Sequence, residues 1–339
     1  MNRSVSALLR SQSATLIAIV VVGTVLLGIA SQGDLFSPVG LRTFFQFLAV
    51  PILIGLAQMI TVAVGQLNLA VGAIGGVAAA LSAVLMADVG VPPLLGALVP
   101  LVVGALAGLG NGLLVMLTRI NGFIVTLATM TILLGAQYAL VGTRTVSASN
   151  WEPLAAVGKA TVAGIPVIFF AAVAVAVVVA LAFRFTLTGR QLLASGDNPE
   201  AARLAGISND RSVVVAHTAS GLLCGVAALV SLASLPGVNQ SVGGDWLLPS
   251  FAAPIIGGVA LTGGTVAVLG TVLAATVVRL VDTARAEFQL APAWVNFVIG
   301  AVVLGTVALD RVRQVRAERR RGALRAAGPQ NVTPVEATR

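Results

Sequence analysis

Residues able to do covalent chemistry are few in this 339-residue chain, and their spacing argues against catalysis. His217 and Ser220 in His217-Thr218-Ala219-Ser220-Gly221 come nearest to the base and nucleophile of an intramembrane serine protease. Such an enzyme also needs attack geometry and an oxyanion site, which two residues side by side on one helix rarely give. The single cysteine, Cys224, excludes an intrachain disulfide, and with a single histidine it leaves too few soft ligands for zinc. A phosphate-binding loop needs Gly, four residues, Gly, Lys and Ser or Thr, yet the lone lysine, Lys159, sits in Gly158-Lys159-Ala160. The expectation is a chain with no catalytic residue, no metal site and no cofactor of its own. If ATP drives it, ATP and Mg are bound by another subunit.

What remains is non-covalent chemistry. Asn68, Asn111, Thr126, Gln137 and Asn296 fall within apolar runs, where uncharged polar groups can line a route for a hydroxylated molecule. Taken singly, each also suits an interhelical hydrogen bond. Two glycine-rich stretches, Gly65 to Gly72 and Gly257 to Gly264, interrupt apolar runs at Gly257, Gly258, Gly263 and Gly264 in the second case. Such interruptions permit a broken or re-entrant backbone where protein or a water-filled cavity surrounds it, and their echo in the two halves is of the kind that places a pathway at a repeat interface. Gly104, Gly108 and Gly112, four apart, read as a helix-packing face.

The elements that position these residues follow from composition. Hydrophobic residues make up 58% and charged residues 9% of the chain, against roughly 25% charged in a soluble domain, and mean hydropathy is +1.01. The predicted fold class is all-α: a polytopic integral membrane protein of about ten transmembrane helices, some broken or re-entrant, with both termini cytoplasmic. Spans are expected over Ala14–Ala30, Phe44–Val64, Leu67–Ala87, Pro93–Thr118 and Phe123–Gly142, then Gly164–Phe185, Ser212–Ser234, Leu247–Leu261, Thr265–Val281 and Trp294–Leu309. The first is longer than a signal peptide's apolar region and lacks a clear cleavage site, so it is kept as a helix. Residues 1–13 then form a cytoplasmic segment, 14–310 the transmembrane domain, and 311–339 a basic cytoplasmic tail expected to be disordered.

Orientation rests on the arginines, which stay inside in short loops. An even number of spans collects Arg3, Arg10, Arg119, Arg184, Arg190, Arg203, Arg211 and the arginines of the tail on the cytoplasmic side, leaving Arg42, Arg144, Lys159 and Arg285 outside. The net charge of +8 therefore reads as topology and contact with anionic lipid, and no nucleic-acid partner is expected. Arg279 and Asp282, one turn apart, are expected to neutralise one another, and Trp151, Trp246 and Trp294 to anchor outer interfaces.

The cytoplasmic loop 186–211 carries a short helix with both ends specified. Asn198 is an N-cap, Pro199 suits the first turn, Glu200 the positive helix end, and Gly206 a left-handed stop. A helix that short is marginal alone in water, so it is held against something.

These residues carry a resemblance. Thr188-Gly189-Arg190, Asn198-Pro199-Glu200-Ala201-Ala202 and Gly206-Ile207 resemble the cytoplasmic loop of ribose-type permease subunits of ATP-binding cassette importers, in the branched-chain amino acid and ribose permease superfamily. Ala252 to Gly264, Gly65 to Gly72, and Asn111-Gly112 with Phe123 to Leu127 are similar to further family segments in the family's order. The resemblance implies a bacterial inner-membrane subunit that pairs with a second permease, as homodimer or heterodimer. It receives solute from an extracytoplasmic binding protein and docks a cytoplasmic ATPase. Arg190, Asn198, Pro199, Glu200, Ala201, Ala202, Arg203, Gly206 and Ile207 would then form the coupling element.

The chain departs from the family pattern in three places. Gly65-Gln66-Leu67-Asn68 replaces two glycines followed by an acidic residue, Gly122 stands where proline is usual, and Asp245 is displaced upstream of its common place before the Ala-Ala stretch. The implied solute is a monosaccharide or similar small polar molecule, with a branched-chain amino acid or nucleoside as related alternatives. An ion-coupled secondary transporter is the rival class; it usually places carboxylates at mid-membrane, whereas here the acidic residues are predicted in loops or near span ends.

Overall fold

The computed structural model describes residues 12–147, 151–291 and, within the last expected span, 293–294, 296–298, 300–301 and 304–305. The segment 1–11, the tail 311–339 and much of Trp294–Leu309 lie outside the described residues.

The described chain is helical apart from a two-stranded hairpin, β1 (Thr161–Val162) and β2 (Ile165–Pro166). Five helices come first: α1 (Gln12–Ala30), α2 (Pro38–Ala63), α3 (Val71–Ala87), α4 (Pro93–Thr118) and α5 (Gly122–Val141). A short α6 (Glu152–Lys159) precedes the hairpin and α7 (Val167–Phe185) follows it; then come α8 (Leu187–Asp197), α9 (Pro199–Leu204), α10 (Asn209–Ser234), α11 (Leu247–Ile256) and α12 (Val268–Glu287). Their ends are set locally. Ser37 accepts from the Gly40 amide before Pro38 opens α2, Asn121 caps α5 through the Phe123 amide, and Ser208 caps α10 through the Arg211 amide.

Two ends of the bundle are defined by contacts. Arg119, after α4, pairs with Asp210 at the start of α10, in the end that also carries Arg184, Arg190, Arg203 and Arg211. At the far end Arg144 pairs with Asp88, Val146 bridges Val238, and the Arg42 guanidinium donates to the Lys159 carbonyl at 3.0 Å.

Helix α2 is the axis of the molecule, packed against α7, α10, α11 and α12. Its residues Ile52, Leu53, Leu56 and Met59 are fully buried, as expected for a helix apolar on all sides. Helices α1 and α5 leave large apolar residues such as Ile29 and Ile132 uncovered, the surface that lipid solvates. Gly104, Gly108 and Gly112 of α4 lie directly on the backbone of α10 around Val214, His217 and Gly221, where any Cβ would meet main-chain atoms. Close approach of two backbones is the gain that small residues give a membrane interface.

Of the about ten spans expected from the sequence, six are helices long and apolar enough to cross a membrane among the described residues, α3 and α11 are shorter apolar helices, and much of the last span lies outside the described residues. The differences in bounds have physical causes. The expected Leu67–Ala87 span becomes α3, which starts only at Val71 after an irregular turn, and Leu247–Leu261 ends as a helix at Ile256 before the second glycine-rich turn. Thr265–Val281 is displaced to α12, which continues through Asp282 and Arg285 to Glu287, and the second span starts earlier, at Pro38. Trp151 and Trp246 are buried inside the protein, not anchors at an interface, because Trp246 fills the room left by Gly75. Trp294 is exposed.

Candidate functional site: a projecting helix, a glycine junction and a polar cavity

At the basic end α9 is built as its residues dictate. Asn198 Oδ1 accepts from the amides of Glu200 at 3.1 Å and Ala201 at 3.0 Å, Pro199 occupies the first turn, and Gly206 takes a positive φ of 79°. Ala202 is buried beneath the helix and the Ile207 amide closes back on its carbonyl. Glu200, Arg203 and Leu204 stand out, Leu204 at 85% exposure, and Arg190 is exposed on the preceding helix.

That preceding helix, α8, is absent from the sequence reading, although Thr186, whose hydroxyl accepts from the Gly189 amide at 3.0 Å, is a legible cap. Asn209 was missed as well. Its amide nitrogen donates to the Pro199 carbonyl at 2.7 Å and its oxygen accepts from the Ser195 hydroxyl at 2.8 Å, tying α8, α9 and α10 together.

The base of this unit meets both broken segments. A Cβ on Gly196 would collide with the Ala63 carbonyl, and would lie 2.7 Å from the Gly264 nitrogen; a Cβ on Gly263 would lie 2.8 Å from the Gly196 oxygen and 2.9 Å from the Gly65 nitrogen. The Gly264 amide donates to the Ala63 carbonyl at 2.9 Å. Gly65, Gly263 and Gly264 all have positive φ, so the close approach and the turn both require glycine. Gly257, by contrast, packs on the backbone of Gly270 and Thr271, and Gly258 turns the chain at a φ of 97°.

The other polar candidates are distributed between two places. Asn68, fully buried, donates to Ser220 Oγ at 3.0 Å and accepts from the Ala70 amide at 3.0 Å, while Thr126 Oγ1 accepts from the Leu69 amide at 3.1 Å and donates to the Gly122 carbonyl at 2.7 Å. Both brace the irregular turn before α3. Close by, the Gln66 side-chain oxygen, Oε1, occupies the space a Cβ on Gly122 would need, which gives one physical reason for two departures from the resembled pattern: the larger Gln66 is matched by the smaller Gly122. Asn111 is buried on α4 with an unpartnered amide nitrogen, and His217 is buried opposite that face with both ring nitrogens unpartnered. Gln137 donates to the Val242 carbonyl at 3.0 Å and so holds the segment before α11.

That segment roofs a cavity of about 500 Å³ at the far end, and of the five polar side chains read from the sequence only Asn296 lines it. Its other polar walls are Gln46 of α2, Ser231 and Ser234 of α10, Ser241 and Asp245 of the roof, and Arg279, Asp282 and Arg285 of α12. Arg279 Nη1 pairs with Asp282 at 2.6 Å, as its spacing predicts, and lies over the rings of Phe47 and Phe44. Desolvation raises the Asp245 carboxyl above its ordinary value, and repulsion from Asp282 adds to the shift.

The family described as the branched-chain amino acid transport system / permease component matches residues 40–307. The fructose import permease protein of Rhizobium meliloti is 30% identical over 91% of this chain and 88% of its own. An autoinducer 2 import system permease protein of Yersinia enterocolitica is 28% identical over 85% and 82%, and the ribose import permease protein of Haemophilus influenzae 27% over 82% and 86%. No solved structure matches the chain.

Proposed function

The chain belongs to this permease-component family, and we propose that it is the membrane-spanning permease subunit of a binding-protein-dependent ATP-binding cassette importer. It carries a monosaccharide or similar small polar solute into the cytoplasm of a bacterial cell, from a site in the inner membrane. The named relatives, permeases for fructose, ribose and autoinducer 2, support that class of solute.

One observation carries the coupling assignment. A two-turn helix, α9, offers Glu200, Arg203 and Leu204 outward while the helix before it is fastened by Gly196 to the two irregular segments. A hydrophobic residue 85% exposed beside two opposite charges suits a protein partner, and the partner in this reading is a cytoplasmic ATPase that binds ATP and Mg. Arg190, Asn198, Pro199, Ala201, Ala202, Gly206 and Ile207 shape and hold that helix. A second permease copy or close relative completes the path, and an extracytoplasmic binding protein delivers solute at the far end.

The test is recovery of the ATPase with the tagged permease after gentle solubilisation from its native membrane. Wild type is expected to bring the ATPase with it; a Glu200→Ala, Arg203→Ala, Gly206→Pro variant that still inserts normally is expected to lose it, since proline cannot adopt the φ of 79° at Gly206. Absence of an ATPase from both preparations would favour an ion-coupled carrier.

A further inference from the structure

The far-end cavity has a composition that selects among solutes. Its walls carry Arg279 and Arg285 against Asp245 and Asp282, so the formal charges cancel. A charged solute would unbalance this set of charges, which a neutral one leaves intact. The walls offer both donors, from Arg279, Arg285 and Gln46, and acceptors, from Asp245 and Asp282, which suits hydroxyl groups, each of them both donor and acceptor.

Several of these groups are fixed before any solute arrives. Arg279 is held by Asp282 on one side and by Phe47, 5.3 Å from the guanidinium carbon, on the other. Arg285 Nε takes the second Asp282 oxygen at 3.2 Å, and Arg279 Nε remains buried without a partner. Asp245 has no cationic partner within ion-pair distance among the described residues. Pro51, in the interior of α2, removes the N–H that would otherwise bond the Phe47 carbonyl, and both residues line the space. Phe47, 41% exposed, adds aromatic surface for the apolar face of a sugar ring, beside the edge of the otherwise buried Trp246. The volume of about 500 Å³ falls in the range of small-molecule sites.

We propose that this cavity is a holding site for a neutral polyhydroxylated solute, with Gln46, Asp245, Arg279 and Asn296 as its hydrogen-bonding groups and Phe47 as its aromatic surface. The proposal rests on the reading of the chain as an import permease and adds to it a site within one protomer, distinct from the buried polar residues Asn68, Asn111 and Thr126. The same helix that walls the cavity, α2, ends at the Ala63 carbonyl in the glycine junction, so the cavity and the coupling unit share one element.

The experiment uses the full-length permease in nanodiscs with Trp151→Phe and Trp294→Phe, leaving Trp246 as the reporter, titrated with D-fructose, D-ribose, L-leucine and glycerol 3-phosphate. The expected result is a saturable fluorescence change with at least one of the two sugars, weakened about tenfold in Asp245→Asn and in Gln46→Ala, the loss of one hydrogen-bonding partner each. No saturable response to either sugar, a response unchanged in both variants, or a response to leucine or to glycerol 3-phosphate alone overturns the proposal; the last would mark a lipid-headgroup site. ATPase recovery from the same preparations separates the two claims. If the ATPase is retained and the sugars give no response, the cavity proposal falls and the importer reading stands. If a sugar response is found without an ATPase, the importer reading falls.

Discussion

Gly196 is the residue on which the coupling argument turns. Its hydrogen is the only side-chain atom that fits between the Ala63 carbonyl and the Gly264 nitrogen, so the smallest addition forces backbone to move. Gly196→Ala is expected to leave ATPase recovery intact, because α9 and its exposed face are unchanged. Solute-stimulated ATP hydrolysis in reconstituted vesicles is expected to fall sharply, since the unit would no longer seat on both irregular segments. Overpacking of this kind costs about 1–3 kcal/mol, so the variant should also melt earlier in detergent. Normal stimulation in Gly196→Ala would show that force reaches the membrane helices by another route. The role of glycine in the loop and in the two interruptions is legible one segment at a time, but nothing in the local sequence says that Gly65, Gly196 and Gly263 meet.

The element scale is governed by the pair α4 and α10. Gly108 faces the His217 carbonyl and the Gly221 backbone, whereas Gly110, two residues on, has nothing within 4 Å of its Cβ position. The pair makes an internal control: Gly108→Ala is expected to destabilise by about 1–3 kcal/mol, seen as a lower melting temperature in detergent, and Gly110→Ala to be close to neutral. Equal destabilisation would mean that the interhelical contact does not decide, since by helix propensity alone alanine would stabilise both sites. Four-residue glycine spacing announces such a face in the sequence, because it repeats on one side of a helix. The partner face, centred on Gly221 and Gly225, carries the same spacing and drew no notice beside His217 and Ser220. Helix α8 is hidden for a different reason: its cap, Thr186, directly follows the end of α7, so α8 reads as the first part of the basic loop after that span.

For the molecule as a whole, the distribution of arginines makes a directional claim that can be tested without any partner. Cys224 is buried, so the native chain offers a maleimide little to react with. A cysteine at Leu204, on α9, is expected to label with a membrane-impermeant maleimide only after cells are opened. One at Val157, exposed on α6 at the far end, is expected to label in intact spheroplasts. The reverse pattern would invert the topology and with it the sides assigned to ATPase and binding protein.

Hydropathy by itself determined that this chain lives in a membrane, and capping chemistry determined the short helix from Pro199 to Leu204, because both depend on residues close in sequence. The resemblance in the loop and in the Ala252 to Gly264 stretch pointed to the family that residues 40–307 match. The glycine-rich stretches mark where a span could break, and tertiary structure alone decided that it does, since such a run reads the same whether its backbone continues as a helix or turns at Gly65 or Gly258. It also decided what the polar residues do: Asn68, Thr126 and Gln137 bond backbone that comes from other segments, or turns irregular beside them, and they leave the cavity to Gln46, Asp245 and Arg279. Those three come from a helix near the start of the chain and from segments near its end, and only packing around α2 brings them into one wall.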